Sequence, residues 1–583
     1  VQTQVRNLPS SDDRRHILTI NAEEYFHGRG VSRAVASKHW DRLESHLERN
    51  IDGILQLLER HGHTATFFFY GWSAERHPAL IRRVHEAGHE VASRGWSPEP
   101  RVPVAPEQFR ESLRRTHAAL LAAGVPEVLG YRTPRWIGPD QDWVLDVLAE
   151  EGYSYDASNN PALARVAPAA DDIGVHRRPS RLEQSIWEVP VSTVRLPGLR
   201  LPIAGGNYLR QLPPWLIRAG VARWERSTTA PLVFYFTSWE IDPDQPRITS
   251  TSMLEHVRQY RNAGSARALI EEFLSKYRLR SIAETLGLEA VARPETSARL
   301  IPRTIVRSSH DRAPVAAVGA AAPVSIVVPL FNEQENVGFL RGTLDGLAAQ
   351  LRGRYALHFV LVDDGSTDGT VQALEREFGS RSDAKIVRVS PNQGVAAAIL
   401  TGIRASSDPI VCSIDCDCSY DPAALEEMLP LIEGADLVTA SPYHRDGRVV
   451  NVPHWRLFLS HNLSRAYRLL LGRRIATYTS CFRVYRRSSI EGIELDEGGF
   501  LGIAELLVRL CLGGGVVREH PATLESRLLG ASKMKTLRVI AGHLRLLARL
   551  AFRHNSLGEP AAPTRIAWQK ANPPRATTDG SMS

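Results

Sequence analysis

Four apolar runs in the second half of this chain each stop abruptly on polar residues. No other feature constrains the fold as much. Val324–Val328 breaks at Pro329, followed by Phe331, Asn332 and Glu333; His358–Val362 breaks on DDGSTDGT at 363–370. Lys385–Val389 gives way to Pro391–Gly394, and the run from Ile410 stops on Asp415 and Asp417 within IVCSIDCDCSYD. Helix-like stretches such as 335–351 separate these runs. Strand–helix alternation of this kind builds a largely parallel α/β sheet, whose ligands bind beyond the carboxyl ends of the strands. In extended chain, residues two apart point the same way, so Asp415 and Asp417 are expected to aim at one divalent cation. Hard cations such as Mg²⁺ and Mn²⁺ take oxygen ligands and share them with substrate phosphates. Asp363, Asp364 and Glu333 offer acceptors for a nucleobase N–H or a ribose hydroxyl.

The first half repeats the alternation with different punctuation. Ile17–Ile20 reads as a strand ending in NAEEYFH, residues 47–61 as an amphipathic helix, and ATFFFY at 65–70 as a second buried strand. A helix over 78–87 and a strand over Glu90–Ser93 follow, again an α/β pattern with a parallel sheet or barrel. Residues 289–322 lose all periodicity and gain Pro, Ala, Ser and Arg, the composition of an interdomain linker. The spacing therefore divides the chain into a domain at 16–288, a linker at 289–322, a second domain at 323–555 and a disordered tail at 556–583.

Charge and cysteine usage narrow the function classes. A net charge of +7 over 583 residues is mild, suits an anionic surface or phosphorylated partner, and comes with no nucleic-acid motif. Five cysteines, all in the second half, form no disulfide framework and are expected to be reduced thiols in a cytoplasmic setting. The start, VQTQVRNLPSSDDRRH, lacks an apolar signal core, and no run of about 18 apolar residues occurs. The expectation is a soluble protein, or one peripheral on the inner face of the cytoplasmic membrane.

Several motifs of the first half resemble the polysaccharide deacetylase family, closest to the subfamily found with exopolysaccharide loci. They include ATFFFYGW at 65–72, EAGHEVAS at 86–93, GYRTP at 130–134, EEGYSYDAS at 150–158, LPIAGGNYLR at 201–210 and WEIDPDQPR at 239–247. The resemblance implies a distorted (β/α) barrel and a metal-dependent deacetylase site, and the site is where this chain departs. The strand that carries an aspartate base in active members reads Asn21, Ala22, Glu23, Glu24. The stretch that supplies two histidine ligands reads Ser93, Arg94, Gly95, Trp96, Ser97, Pro98, and the late histidine is Thr237. Asparagine is no base at neutral pH, proline has no side-chain ligand, and a guanidinium has no lone pair to give. His27 and His89 are the imidazoles that remain nearby in sequence. Arg132, which orients a carboxylate in active relatives, is expected to pair with Glu23 or Glu24 here, and Trp136 to pack. A retained fold with a degenerate metal site is the expectation.

Taken in order, P-x-F-N-E at 329–333, V-D-D-G-S-T-D-G-T at 362–370, N-Q-G at 392–394 and D-C-D at 415–417 resemble family 2 glycosyltransferases of the GT-A fold. The resemblance implies a nucleotide-sugar site built by Pro329, Phe331, Glu333, Val362, Asp363, Asp364, Asp415, Cys416 and Asp417, with Mg²⁺ or Mn²⁺ on Asp415 and Asp417. The segment that follows resembles the dolichol-phosphate mannosyltransferase branch, which uses a polyprenyl-phosphate acceptor. Its elements appear as Gly447, Trp455, Arg456 and Ser460; Thr479 to Arg483; Gly499, Phe500, Glu505 and Leu506; Glu519 and Pro521; and Arg527, Gly530, Ser532 and Lys533. This implies Arg456 and Glu505 in the catalytic set, and Arg456, Ser460, Arg527, Ser532 and Lys533 on the acceptor phosphate. Fork donors, hydroxyls and a point charge suit that role. Two departures stand out: Ala440, Ser441, Pro442 replaces the branch's G-S-R, and Cys481 replaces a glycine.

Residues 536–554 suggest a basic amphipathic helix, with Arg538, Arg545, Arg549 and Arg553 on one side and Leu537, Ile540, Leu544 and Leu547 on the other. Such a helix lies in a membrane interface or packs on its own domain, and both readings stand. For the whole chain the leading expectation is an inverting glycosyltransferase fused to a pseudo-deacetylase, acting in cell-surface polysaccharide or glycolipid synthesis. A bifunctional transferase–deacetylase and a non-catalytic glycan-binding protein are the alternatives.

Overall fold

The computed structural model describes residues 15–288, apart from 29, 33, 99–104, 135–140, 142, 162–172, 177–185, 197–198 and 250. It further describes 321–530, apart from 451–453 and 473–474, and residues 542–543 and 545–548. The chain forms two compact units, Val1–Asp311 and Arg312–Ser583. Most of the linker, Trp136 and the tail lie outside the described residues.

The main sheet of the first unit has nine strands among the described residues. Val233–Thr237, His16–Ala22, Thr66–Phe69, Glu90–Ser93, Gly130–Tyr131, Tyr155–Asp156, Ile186–Glu188 and Gly174–His176 follow one another across the sheet, and Leu279–Arg280 also pairs with His16–Ala22. All pairs are parallel except the last on the path, Ile186–Glu188 with Gly174–His176. His16–Ala22 is buried along its whole length, as a strand with neighbours on both edges and both faces must be. The helix Leu47–His61 covers this sheet because Leu47, Ile51, Ile54, Leu57 and Leu58 recur at helical spacing and are buried. Gly62 ends it, taking the left-handed conformation at φ 65° that a side chain would resist. Truncating Leu58, which is fully buried, to alanine would cost about 2–5 kcal/mol.

The second unit is a seven-stranded sheet in the order Ala384–Val389, Tyr355–Asp364, Ala322–Leu330, Ile410–Ser413, Arg483–Arg486, Leu437–Ser441, Val517–Pro521. The first four are mutually parallel, and Arg483–Arg486 runs against both its neighbours. From Ala322–Leu330 the chain first builds outward on one side, through Tyr355–Asp364 to Ala384–Val389. It then returns to place Ile410–Ser413 on the other side. The strand order therefore reverses between Ala322–Leu330 and Ile410–Ser413, which leaves a crevice at their carboxyl ends. The helices Val395–Ala405 and Phe500–Leu512 bury Ile399, Ile403, Ile503 and Leu507 in one core with Val327, Val360 and Val411. All five cysteines are free and buried.

Candidate active site

Parallel pairing sets Val324 opposite Ile410 and Val327 opposite Ser413, so both central strands release their chains at one edge. A cavity of about 770 Å³ opens there. Pro329, Phe331, Glu333, Asp415, Cys416 and Asp417 line it, together with Asp364, Ser460 and Arg527. The rest of its lining is largely apolar and includes Val395, Ala398, Leu463, Ala466, Phe500 and Leu547.

The acidic pair is not placed as strand alternation would place it. Ladder pairing of that strand ends at Ser413, opposite Val327 and Arg483. The chain then turns: the Cys418 N–H donates to the Asp415 carbonyl (3.1 Å), and Cys418 itself takes φ 50°. Asp415 and Asp417 are thus brought together by a turn, which corrects the pleat argument. Burial, then the charge of Asp417, pushes the Asp415 carboxyl up to about 7 against a hydrogen bond from Cys481. Asp417 is fixed on both oxygens. Oδ1 accepts from the Ser419 N–H (2.9 Å) and hydroxyl (2.8 Å), and Oδ2 accepts from Arg527 Nε (2.9 Å) and Nη2 (2.6 Å). Arg527 Nη2 also lies 3.5 Å from Glu333 Oε1. Burial opposes the charge on Arg527, but Asp417 and Glu333 outweigh it and hold the guanidinium charged.

The loops from the first two strands brace each other. The Asn332 N–H donates to Ser366 Oγ (2.8 Å), Asn332 Oδ1 accepts from the Thr367 N–H (2.6 Å), and the Glu333 N–H donates to Thr370 Oγ1 (2.8 Å). Asp364, expected on the nucleotide, lines the cavity and also organises the N-Q-G turn. Its carboxylate accepts from Asn392 Nδ2 (2.9 Å), the Gln393 N–H (2.8 Å) and the Gly394 N–H (2.7 Å). Gly394 has φ 98°, and a Cβ there would come within 2.7 Å of the Gly498 backbone. Val362 does not line the cavity, because its side chain is packed in the core. Asp363, also outside the cavity lining, is 4% exposed, and its buried Oδ1 has no hydrogen-bond partner.

Glu505, expected in the catalytic set, is a further correction. It is buried in the helix Phe500–Leu512, outside the cavity lining. Its carboxylate caps the Asp496 N–H (3.1 Å) and Glu497 N–H (3.0 Å) and accepts from Arg509 Nε (2.7 Å). These bonds hold the 496–497 turn against the helix. Ser460 lies on the cavity wall, on the helix His454–Leu471, 3.4 Å from the Thr479 hydroxyl. The Arg456 side chain, Ser532 and Lys533 lie outside the described residues. Glu519 of the E-x-P element accepts from the Ala476 (2.9 Å) and Thr477 (3.1 Å) N–H groups, and so fixes the loop that carries Thr477 and Thr479 to the cavity.

Tyr443, Ser419 and His543 also line the cavity and are absent from the sequence-based set. Ser419 has a local signal, a hydroxyl two residues after the aspartate it bonds. His543 has none, since only tertiary packing brings its Nδ1 within 2.9 Å of the Tyr467 hydroxyl. Burial lowers His543 to about 4, so its imidazole is neutral at the cavity wall. Of the expected 536–554 helix, residues 542–543 and 545–548 are described and helical; Leu546 and Leu547 pack on this unit's core and Arg545 is exposed. No helix among the described residues is long and apolar enough to cross a membrane.

In the first unit, Arg94 is buried against Glu23. Its Nε donates to Glu23 Oε1, with both side chains buried, and the Tyr70 hydroxyl donates to the same oxygen (3.2 Å). Arg132 pairs with neither glutamate, against expectation: it donates to Thr19 Oγ1 (2.8 Å), Asn21 Oδ1 (3.3 Å) and the Ala157 carbonyl (3.0 Å). Burial and neighbouring Arg94 lower it to about 9, the behaviour of a guanidinium with no carboxylate of its own. Asn21 Nδ2 donates to Thr237 Oγ1 (3.4 Å), Glu24 accepts from the Ser45 hydroxyl and the His46 N–H (3.1 Å), and Pro98 is buried. His27 is sealed among Phe26, Trp40, Tyr70 and Trp72, and burial drives it down to about 3. Among the described residues no group of three or more His, Cys, Asp or Glu is placed to hold a metal.

Residues 325–493 match the model of glycosyl transferase family 2. The chain is 34% identical over 218 residues to polyprenol monophosphomannose synthase of Mycolicibacterium smegmatis, covering 36% of this chain and 80% of that protein. The chain belongs to glycosyl transferase family 2. The family 2 region is also 30% identical over 230 residues to dolichol-phosphate mannosyltransferase of Pyrococcus furiosus, covering 39% of this chain and 63% of that one. This chain therefore spans less than two thirds of the archaeal relative's length. Ahead of the family 2 domain, residues 38–155 match the polysaccharide deacetylase model and 165–287 a domain of unknown function, DUF3473. Among solved structures, one described as a polysaccharide deacetylase from Mycobacterium smegmatis aligns at 19% identity and TM-score 0.33, over 50% of this chain and 100% of that one. Glucosyl-3-phosphoglycerate synthase from Mycobacterium tuberculosis, in complex with Mn²⁺ and UDP, aligns at 20% identity and TM-score 0.30, over 41% and 81%.

Proposed function

We propose that the family 2 domain transfers a sugar, with inversion, from a nucleoside-diphosphate donor to the phosphate of a polyprenyl-phosphate acceptor. The observation that carries this reading is the single cavity that joins Asp415, Asp417, Glu333 and Arg527 to a wall of Val395, Ala398, Leu463, Ala466, Phe500 and Leu547. Ionic and apolar lining residues in one cavity suit a phosphate carried on a lipid. The printed names of the relatives, a polyprenol monophosphomannose synthase and a dolichol-phosphate mannosyltransferase, support the same acceptor class.

The residues present fit a hard divalent cation. Asp415 and Asp417 are oxygen donors close enough that the charge of Asp417 raises the proton affinity of Asp415. Two carboxylates suffice for an ion that takes its other ligands from diphosphate and water. When bound, Mg²⁺ or Mn²⁺ neutralises charge on the departing diphosphate. The chain itself does the rest. The braced loops at 332–333 and 366–370 hold the donor end rigid. Arg527 and Ser460 position the acceptor phosphate. An oxygen of that phosphate attacks the anomeric carbon as the bond from this carbon to the donor diphosphate breaks. The electron pair leaves with the nucleoside diphosphate, and the sugar inverts. The nucleophile is already an anion, so no general base is required, and positioning carries the rate.

The first unit is read as a deacetylase fold without deacetylase chemistry, in a protein of cell-surface polysaccharide or glycolipid synthesis. The ion pair of Arg94 with Glu23 supports this: a guanidinium beside a divalent ion would be repelled by roughly several kcal/mol at an effective dielectric of about 20. The test is a panel of nucleotide sugars incubated with full-length protein, Mn²⁺ and a short polyprenyl phosphate, alongside acetate release from acetylated glycans. Sugar should pass to the lipid and acetate should not appear. Acetate release with stoichiometric zinc would replace this reading with a bifunctional one.

A further inference from the structure

Among the described residues nine large apolar side chains are exposed, and four of them gather on the first unit: Trp215 (66%), Met253 (86%), Leu254 (60%) and Val257 (38%). Three belong to the helix Met253–Tyr260, where positions 253, 254 and 257 fall within an arc of about 100°. Gln259 faces the other way, buried and bonded to the Tyr25 carbonyl (3.0 Å), so the apolar arc points outward because the polar side is the anchored one. Trp215 stands at the start of the helix Pro214–Ser227. The preceding turn is tied to the first helix: Gln211 Nε2 donates to the Val257 carbonyl (3.3 Å) and Arg210 Nη1 to the Gln259 carbonyl (2.7 Å).

The helix and its end carry two arginines against one carboxylate. Glu255, the carboxylate on the helix, is engaged by its own cap, accepting from the Ser252 N–H (3.2 Å) and hydroxyl (2.9 Å). Arg258 and Arg261 are exposed on the same helix and its end. Met253, Leu254 and Val257 offer a sugar neither a flat ring nor hydrogen bonds, which leaves Trp215 as the one aromatic platform of the patch and disfavours a glycan as its main occupant. Four side chains are also far fewer than the roughly 20–30 residues a side of a stable protein interface. Met, Leu, Val and Trp beside arginines match the boundary between acyl chains and anionic headgroups.

We infer that Trp215, Met253, Leu254 and Val257, flanked by Arg258 and Arg261, dock the first unit on the surface of an anionic lipid bilayer. The aliphatic arc enters the acyl boundary, Trp215 sits at headgroup level, and the two arginines meet the lipid phosphates. This inference is independent of sugar transfer, because it is read without donor or acceptor.

The test is co-sedimentation of the full chain with vesicles of phosphatidylglycerol and phosphatidylcholine, or of phosphatidylcholine alone. Wild-type protein should bind the anionic vesicles at least tenfold more tightly than a W215S/M253S/L254S variant. R258E/R261E should weaken binding and flatten its dependence on salt. M253S alone, at a fully solvated position, keeps the test free of any folding defect and should weaken binding measurably. Failure of the wild type to bind, or binding by the triple variant within twofold of wild type, overturns the inference. So does a wild-type dimer in sedimentation velocity that the triple variant loses, which would assign the face to a second copy of the chain.

Discussion

Arg527 Nη2 lies 2.6 Å from Asp417 Oδ2 and 3.5 Å from Glu333 Oε1, so one guanidinium ties together the loops that leave the two central strands of the family 2 domain. A cation bound at Asp415 and Asp417 must compete with it for Asp417. Replacing Arg527 with methionine is therefore expected to tighten Mn²⁺ binding several-fold in the absence of nucleotide, while lowering sugar transfer at least tenfold. Titration of Mn²⁺ followed by electron paramagnetic resonance checks the first part. Unchanged or weaker Mn²⁺ affinity would show that Arg527 does not compete for the site.

Glu505 is expected to matter for folding rather than for turnover. Its replacement by glutamine leaves the Asp496 and Glu497 N–H groups and Arg509 imperfectly paired. A loss of about 1–3 kcal/mol follows from leaving such groups unsatisfied. Chemical denaturation gives the stability, and kcat of the folded protein should stay within a few-fold of wild type. A hundredfold fall in kcat with unchanged stability would return Glu505 to the catalytic set.

The Arg94–Glu23 pair yields a double-mutant test. Arg94→Met alone leaves a buried carboxylate with the Tyr70 hydroxyl, and is expected to cost about 3–5 kcal/mol. Adding Glu23→Gln should recover most of that loss. Equal destabilisation by the single and double variants would mean that the pair is not coupled as its geometry indicates.

How much of this was legible in the chain depends on the distance over which each signal acts. Strands ending on acidic or amide residues are a local pattern, and a largely parallel sheet with its site at the carboxyl strand ends follows from them, whereas the strand order and the antiparallel Arg483–Arg486 do not. The roles of Asp364 and Glu505 were not legible. Both are carboxylates in the expected places, and only the folded backbone shows that N–H groups of the 392–394 and 496–497 turns have claimed them. The partner of Arg132 was misread for the same reason: Thr19 and Asn21 point into the sheet's interior beside it, whereas Glu23 is reached by Arg94. The turn at Cys418 defeated the pleat argument because strand alternation stops where ladder partners stop.

The sealed imidazole of His27 sets a pH dependence for the first unit. Its ordinary value near 6.5 falls to about 3 on folding, mainly through burial and then through Arg94 and Arg76. The folded state therefore binds fewer protons than the unfolded chain between those values, and stability falls as pH drops below about 6.5. One such group contributes a slope of up to about 1.4 kcal/mol per pH unit. His89, lowered to about 4, acts in the same direction. Both ring nitrogens of His27 lack hydrogen-bond partners, so His27→Phe fits the aromatic box. The variant should gain more thermal stability at pH 5 than at pH 7.5. An equal gain at both pH values would contradict the linkage.

The central claim is that Asp415 and Asp417 support sugar transfer to a lipid phosphate in the cavity they share with Arg527 and the apolar wall. Its most direct measurement follows radiolabel from a panel of nucleotide sugars into solvent-extractable polyprenyl phosphate, comparing wild-type protein with Asp417→Asn in saturating Mn²⁺. At least one donor should label the lipid with the wild type. The variant should fold normally and lose at least a hundredfold in rate. Transfer by Asp417→Asn at the wild-type rate, or the absence of lipid labelling by wild-type protein with every donor, would contradict the account.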